Sequence, residues 1–266
     1  MHRILCIGLL GLLASAAPAR AQPKSLLIED MTWTEVRDAI AAGRTTAVYY
    51  AGSIEQNGPG FALGKHLFIA HYVAQRIAEE LGNALVYPTM PFAPTGDPAP
   101  EHKTGHMRFP GSVNVSEEAF GLIARGVAES ARAAGFKNVV MMSDHGGAGQ
   151  TALEKVAKEL DAAWAPAGPH VYYIRDTYFK EKEQMRAYAA EHKMMVDSHA
   201  GFDDTSQMLF IDRDGKWIRK DKLVKDDGKG STGVNGDQTA GTAELGRMFI
   251  GYKVKDAVDQ IRSQVK

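Results

Sequence analysis

Short apolar runs alternate with longer segments of helical periodicity along most of this chain. The runs have the length of buried β-strands and lie at residues 47–50, 84–87, 139–142 and 171–174. Between and after them, apolar residues recur every three or four positions, which predicts helices at residues 67–81, 116–134, 150–164, 180–192 and 239–264. Strands that alternate with helices predict a mostly parallel sheet covered on both faces, which is an α/β fold.

Local signals mark where several of these helices begin and end. Thr32 followed by Glu35 forms a capping-box pattern, which predicts a helix that starts there and stops at Gly43. Residues 207–211 fit a strand or the end of a helix equally well. The stretch at 88–111 is rich in proline and glycine, and so long an irregular segment in a compact domain is usually functional or disordered.

The first residues have the pattern of a secretory signal. Basic residues at positions 2 and 3, an apolar stretch at 5–13 and the small-residue site Ala19-Arg20-Ala21 predict a signal peptide at residues 1–21. We therefore expect a periplasmic or secreted protein in which residues 22–266 form a single domain. The one cysteine, Cys6, lies inside the signal, so a metal site in the mature chain must use His, Asp and Glu.

Charge and hydropathy narrow the range of partners. The formal net charge of −1 provides no basic field for nucleic acid. No segment after the signal contains about 18 consecutive apolar residues, so we expect no membrane-spanning helix. A small-molecule substrate is the expected partner.

Candidate functional residues lie in loops that follow predicted strands, where an open α/β sheet places its ligands. The glycine-rich loop after the first strand contains Glu55 and Asn57 and ends at His66. Three later loops contain further histidines: His102 and His106, His145, and His199.

Four segments occur in the order GSIEQNGPGFALGKHLFIA, GHMRFPGSVNV, SDHGGAG and DSHAGFDDTS. Together they resemble the creatininase (creatinine amidohydrolase) family, and the similarity extends over nearly the whole mature chain. The resemblance implies a three-layer αβα sandwich and a homo-oligomer, most often a hexamer. It also implies a two-metal centre that hydrolyses C–N bonds of cyclic or linear amides.

The resemblance places Glu55, His145 and Asp204 at metal-ligand positions and His199 at a position linked to proton transfer. Two positions depart from the family pattern: Asn57 replaces a histidine, and His66 replaces an aspartate that bridges two ions. A carboxylate can bridge two cations, whereas an imidazole nitrogen binds one, and asparagine is a poor ligand for zinc.

The altered ligand set predicts one divalent ion per protomer instead of two. Zinc is the first expectation, with manganese or iron as alternatives, and the ligands are Glu55, His66 and His145. Asp204 is a fourth ligand or a general base. The double change Asn57→His with His66→Asp is expected to recover a second ion.

The resulting hypothesis is an exported metal-dependent hydrolase. His199 and Asp204 are its expected catalytic residues, and His102, His106 and Asn57 its expected substrate contacts. One alternative is a non-catalytic relative that binds a metal or small ligand through a degenerate centre. Another is redox chemistry, because two histidines and one carboxylate also suit non-haem iron.

Overall fold

The fold is built on a four-stranded parallel sheet, as the sequence predicts. A computed structural model describes residues 25–265, so the predicted signal peptide lies outside the described part. The strands are β1 (Thr46–Ala51), β2 (Ala84–Val86), β3 (Asn138–Ser143) and β4 (His170–Tyr173). All three strand pairs are parallel, and the spatial order is β2-β1-β3-β4.

The described residues form seven α-helices. These are α1 (Trp33–Ala41), α2 (Lys65–Leu81), α3 (Glu117–Ala134), α4 (Ala148–Trp164), α5 (Phe179–Glu191), α6 (Phe202–Ile211) and α7 (Ala243–Gln264). The capping box of Thr32 and Glu35 starts α1 as predicted. Residues 207–211 belong to helix α6 and not to a strand. Within residues 25–265, no helix has both the length and the apolar character needed to cross a bilayer.

Helices cover both faces of the sheet. Alternate residues of β1 point in opposite directions: Ala47 and Tyr49 pack in the cluster formed with α1, α3 and α4, whereas Val48 and Tyr50 pack in the cluster formed with α2, α6 and α7. This alternation follows from the two-residue period of a strand. The arrangement confirms the predicted three-layer αβα sandwich.

The order of the strands creates a crevice between β1 and β3. After β1 the chain forms β2 on one side of it and later returns to form β3 on the other side. Ala51 pairs with Ser143, so the two strands end side by side. The carboxyl ends of strands at such a switch point are where open α/β sheets bind ligands.

Gly52 allows helix α2 to begin at this crevice. A Cβ atom at this position would overlap the backbone of His66 and Leu67 at the start of α2. Without a side chain, the loop after β1 passes directly against the first turn of the helix. The loop that contains Glu55 and the helix turn that contains Lys65 and His66 are therefore held together.

Candidate metal centre

A buried carboxylate surrounded by four histidines lies at the carboxyl ends of β1 and β3. Glu55 Oε1 is 3.2 Å from His66 Nε2, 3.6 Å from His199 Nδ1 and 3.8 Å from His106 Nε2. Its second oxygen, Oε2, is 2.7 Å from His145 Nε2. Residues more than 140 positions apart in the chain thus converge on one side chain.

The charge and surroundings of Glu55 suit a bound cation. Burial alone would raise the pKa of Glu55, but the attraction of His145 and His66 outweighs it and holds the pKa well below its usual value. Oε2 accepts a hydrogen bond from Ser53 Oγ at 2.9 Å, whereas Oε1 has no hydrogen-bond partner among the described residues. An ionised oxygen without a partner, facing imidazole nitrogens, fits one metal ion.

His66 is oriented by a carboxylate on its far side. Its Nδ1 lies 2.7 Å from Asp144 Oδ2, and Asp144 Oδ1 accepts a hydrogen bond from Lys253 Nζ at 2.8 Å. A histidine whose Nδ1–H donates to a carboxylate presents Nε2 as a ligand, an arrangement typical of metal-binding histidines. Burial and Lys65 lower the pKa of His66, but Glu55 and Asp144 raise it above the usual value.

Gln56 fixes the ring orientations of His106 and His199. His199 Nε2 lies 2.9 Å from the backbone oxygen of Gln56 and 3.1 Å from its side-chain nitrogen. The shorter contact, to an oxygen that can only accept, favours the tautomer in which Nε2 donates and Nδ1 keeps a lone pair towards Glu55. The Gln56 amide nitrogen is 3.2 Å from His106 Nδ1, so Nδ1 accepts and Nε2–H points towards Glu55. Burial lowers the pKa of His106 to about 4 and that of His199 to about 3, so both rings are neutral at pH 7.

Asp204 faces the same centre but is paired with a lysine. Lys65 Nζ lies 2.6 Å from Asp204 Oδ2, and the Lys65 side chain is completely buried. Burial alone would raise the pKa of Asp204, but Lys65 and Lys182 hold it well below its usual value. The carboxylate is therefore ionised and already neutralised by an ammonium group.

Each of three buried aspartates near the centre has a lysine partner. The pairs are Asp204 with Lys65, Asp144 with Lys253, and Asp203 with Lys182. Among the described residues, the basic side chains within 4 Å of the Glu55 carboxylate are all histidines. A cation that binds at Glu55 would therefore not have to displace an ammonium group.

The centre opens into a cavity of about 300 Å³. Besides Glu55 and the four histidines, its walls include Lys65, Tyr178, Lys182 and Asp204. A second cavity of about 330 Å³ lies on the other side of His106 and His199 and is lined by Arg108 and part of the loop at 226–235. Both volumes are of a size that suits small molecules.

Comparison with known proteins agrees with this geometry. Residues 29–261 match the Creatininase family, which is described as creatinine amidohydrolase. The chain belongs to the creatininase family. A creatinine amidohydrolase from Pseudomonas putida is 28% identical over 123 residues, which are 46% of this chain and 45% of that protein. The alignment thus spans less than half the length of this relative.

Solved creatininase structures share the fold. A manganese form of creatininase superposes with a TM-score of 0.73 at 19% identity, covering 91% of this chain and 99% of that one. A variant creatininase of the "Zn-Zn type" has a TM-score of 0.72 at 19% identity, covering 91% and 98%. At this level of identity the similarity establishes the shared αβα architecture.

The structure brings most of the residues expected from the creatininase pattern to one place. The residues of the predicted ligand set, Glu55, His66 and His145, lie together on the cavity wall. Glu55 also forms a group with His106 and His199 whose ligand atoms lie within 4.8 Å of one another and could hold a metal ion. Asp204 also lines the cavity, in contact with Lys65.

Two predicted substrate contacts lie elsewhere. Asn57 is buried, and its Nδ2 donates to the backbone oxygen of Glu55 at 2.7 Å, so the side chain supports the loop. His102 is exposed, its Nε2 lies 2.9 Å from Asp97 Oδ2, and it is not among the residues that line the two cavities.

Lys65, Asp144 and Gln56 are site residues that the sequence reasoning missed. Lys65 could have been found from its position, because a cation in the first turn of a helix is disfavoured by the helix dipole and needs a nearby anion. Asp144 and Gln56 stand beside residues that were identified, but nothing in the sequence indicates which way their side chains point.

Proposed function

We propose that this protein is an exported metal-dependent hydrolase that cleaves the C–N bond of a small amide or cyclic amide. The observation that carries the proposal is the ionised, partly unpartnered Glu55 carboxylate among four imidazoles. Membership of the creatininase family supports the reaction class. The predicted signal at residues 1–21 supports export to the periplasm or medium.

We assign Glu55, His66 and His145 as the residues that hold one divalent ion. Imidazole and carboxylate donors suit zinc, and also manganese or iron. Structurally similar creatininases include zinc and manganese forms. When bound, such an ion supplies a Lewis acid that polarises a carbonyl group and lowers the pKa of water.

The neutral histidines are suited to proton transfer and substrate orientation. His199 can accept a proton at the free Nδ1 lone pair and pass it to the leaving nitrogen, because its Nε2 is fixed on the Gln56 backbone oxygen. His106 presents an Nε2–H donor that can hold a substrate oxygen. Asp204 is ionised, and its ion pair with Lys65 places a compensated charge on the cavity wall.

The cavity sets the size of the substrate. About 300 Å³ accommodates a small amide or a single heterocyclic ring, and Tyr178 and Lys182 add polar contacts on the wall. A cyclic amide such as creatinine is a reasonable first substrate, given the name of the Pseudomonas putida relative.

The hydrolase proposal is tested by turnover. Chelator-washed protein is loaded with zinc and incubated with creatinine and a panel of cyclic and linear amides, and released products are identified by mass spectrometry. We expect metal-dependent hydrolysis that is absent from the His145→Ala variant. Tight metal binding without turnover of any amide would support the non-catalytic alternative, and oxygen consumption by an iron-loaded form would support the redox alternative.

Assembly and export are separate parts of the proposal. By family resemblance we expect the mature chain to form a homo-oligomer, a hexamer in the first instance. Light scattering at micromolar concentration measures the mass, and a monomer would contradict the expectation. Terminal sequencing of protein from its native host should find Gln22 at the amino terminus, and an intact Met1 would contradict export.

A further inference from the structure

Lys65 is a completely buried lysine that faces the same cavity as the proposed metal ligands. It is the first residue of α2 and His66 is the second, so consecutive side chains deliver an ammonium group and an imidazole to one centre. A fixed ammonium group at the positive end of a helix is unfavourable unless an anion compensates it. Asp204 is the anion that compensates Lys65.

The ion pair between Lys65 and Asp204 is held firmly in place. Asp204 Oδ2, which contacts Lys65 Nζ, also accepts a hydrogen bond from the backbone nitrogen of Ala200 at 2.7 Å. Ala200 has a φ of 53°, an uncommon value for a residue with a side chain. Strained backbone of this kind is concentrated at functional sites, where the surrounding structure maintains it.

We propose that the ammonium group of Lys65 takes the place and the charge of a second metal ion, so that the centre combines one metal ion with one fixed lysine cation. The inference rests on the proposed metal-dependent function and specifies its cation arrangement. In this arrangement Lys65 supplies a fixed positive charge to the cavity and holds Asp204 in position.

Asp204 and His66 do not fit a second metal ion beside Lys65. Asp204 Oδ2 is occupied by Lys65 and Ala200. His66 uses Nδ1 for Asp144 and has a single nitrogen left. Asn57 Nδ2 donates to the Glu55 backbone, and its buried amide oxygen, which has no hydrogen-bond partner among the described residues, is of a type that binds zinc poorly. A second dication at Asp204 would also be repelled by the ammonium group, an interaction that is strong at short range in a buried site.

Metal stoichiometry tests the inference directly. Chelator-washed wild-type protein, Lys65→Met and the double variant Lys65→Met with Asp204→Asn are titrated with zinc, and bound metal is measured by elemental analysis and calorimetry. We expect one ion in the wild type. In Lys65→Met, the second ion should bind at least ~10-fold more tightly than in the wild type, because the freed carboxylate attracts it without the ammonium repulsion.

The double variant is the matched control. It lacks the same lysine but also lacks the carboxylate, so it should return to one ion. Two tightly bound ions in the wild type would overturn the inference, as would a Lys65→Met protein that binds no second ion under any zinc concentration tested. One bound ion without turnover of any amide would overturn the hydrolase proposal. The inference that one metal ion is combined with the Lys65 ammonium group would still hold.

A second pair of variants covers the case in which Lys65→Met does not fold. Asn57→His with His66→Asp is compared with the same double change plus Lys65→Thr, using the same zinc titration. The sequence alone predicts that the double change recovers a second ion, but the buried ammonium group of Lys65 changes this expectation. We expect the double variant to remain at one ion and the triple variant to bind two. Two ions in the double variant, with Lys65 still present, would contradict the inference.

Discussion

Asp144 links His66 to a buried lysine: His66 Nδ1 and Lys253 Nζ lie 2.7 and 2.8 Å from its two carboxylate oxygens. Burial alone would raise the pKa of Asp144, but Lys253 and His66 lower it below its usual value, so the carboxylate remains ionised. A charged acceptor behind the ring fixes the orientation of His66 and strengthens Nε2 as a donor to metal. The proposed centre therefore depends on a residue that does not itself face Glu55.

Asp144→Asn should weaken metal binding without removing any proposed ligand. We expect the zinc dissociation constant to rise ~10–100-fold, because the neutral amide is a poorer acceptor for His66. The free energy of unfolding should fall by about 3 kcal/mol, since Lys253 loses its closest counterion in a buried position.

The Asp161→Asn variant is the control for this change. Asp161 Oδ1 makes a similar contact with His170 Nδ1, at 2.9 Å, but this pair is partly exposed and away from the cavity. Zinc affinity should be unchanged there. Equal affinities in the two variants, measured by competition with a chromogenic chelator, would contradict the role assigned to Asp144.

His145→Ala should remove most bound zinc while the protein stays folded. The loop after β3 lies at the edge of the core, so little packing is lost, whereas the centre loses one of three assigned ligands. We expect at least a ~100-fold loss of zinc affinity, beyond what loss of an outer partner causes. The His102→Ala variant tests a loop histidine outside the cavity and should retain its zinc. Unchanged metal content in His145→Ala would exclude direct coordination.

Glu181 should make stability depend on pH. Burial and the neighbouring Asp203 raise its pKa to about 8, whereas an unfolded glutamate titrates near 4.3. The folded chain then binds the extra proton between these values, so its stabilising effect is complete below pH ~4 and is lost as pH rises to about 8.

The Glu181→Gln variant tests this pH dependence. Glutamine cannot ionise, so the variant should gain stability relative to the wild type by up to ~1.4 kcal/mol per pH unit across this range. Denaturant unfolding from pH 5 to pH 9 measures the difference, which should level off above pH 8. Glu183→Gln, on the exposed side of the same helix, should follow the wild-type curve. Parallel curves for wild type and Glu181→Gln would contradict the raised pKa.

Two glycines of α7 should respond in opposite ways to alanine. A Cβ at Gly246 would overlap the backbone oxygen of Ser206 in α6, whereas nothing lies within 4 Å of a Cβ at Gly251. Gly246→Ala should lower the free energy of unfolding by about 1–3 kcal/mol through overpacking. Gly251→Ala should raise it by ~0.5–1 kcal/mol through helix propensity. Thermal unfolding of the two variants distinguishes them, and a stabilised Gly246→Ala would show that α6 and α7 pack less closely.

Local interactions made much of the fold predictable from the sequence. Thr32 and Glu35 are three residues apart and their capping box forms as expected, while Gly82 and Gly135 end α2 and α3 in left-handed conformations. Alternation along β1 distributes its side chains between the two cores. The ambiguity at 207–211 arose because the polar residues of α6 are concentrated in its buried first turns and the apolar ones at its end, so the apolar residues do not recur with a helical period.

The sequence by itself also determined the residue types of the centre, because glycine-rich loops after strands and their histidines are local patterns. Tertiary structure alone decided which side chains meet. Lys65 and Asp204 are separated by 139 positions, and their contact depends on how α2 and α6 pack beside the sheet. Tertiary structure also leaves His102 exposed and directs the Asn57 side chain towards the backbone of its own loop. Charge pairing in a buried site acts over a few ångströms in space, so the identity of each partner is fixed only when distant segments are brought together.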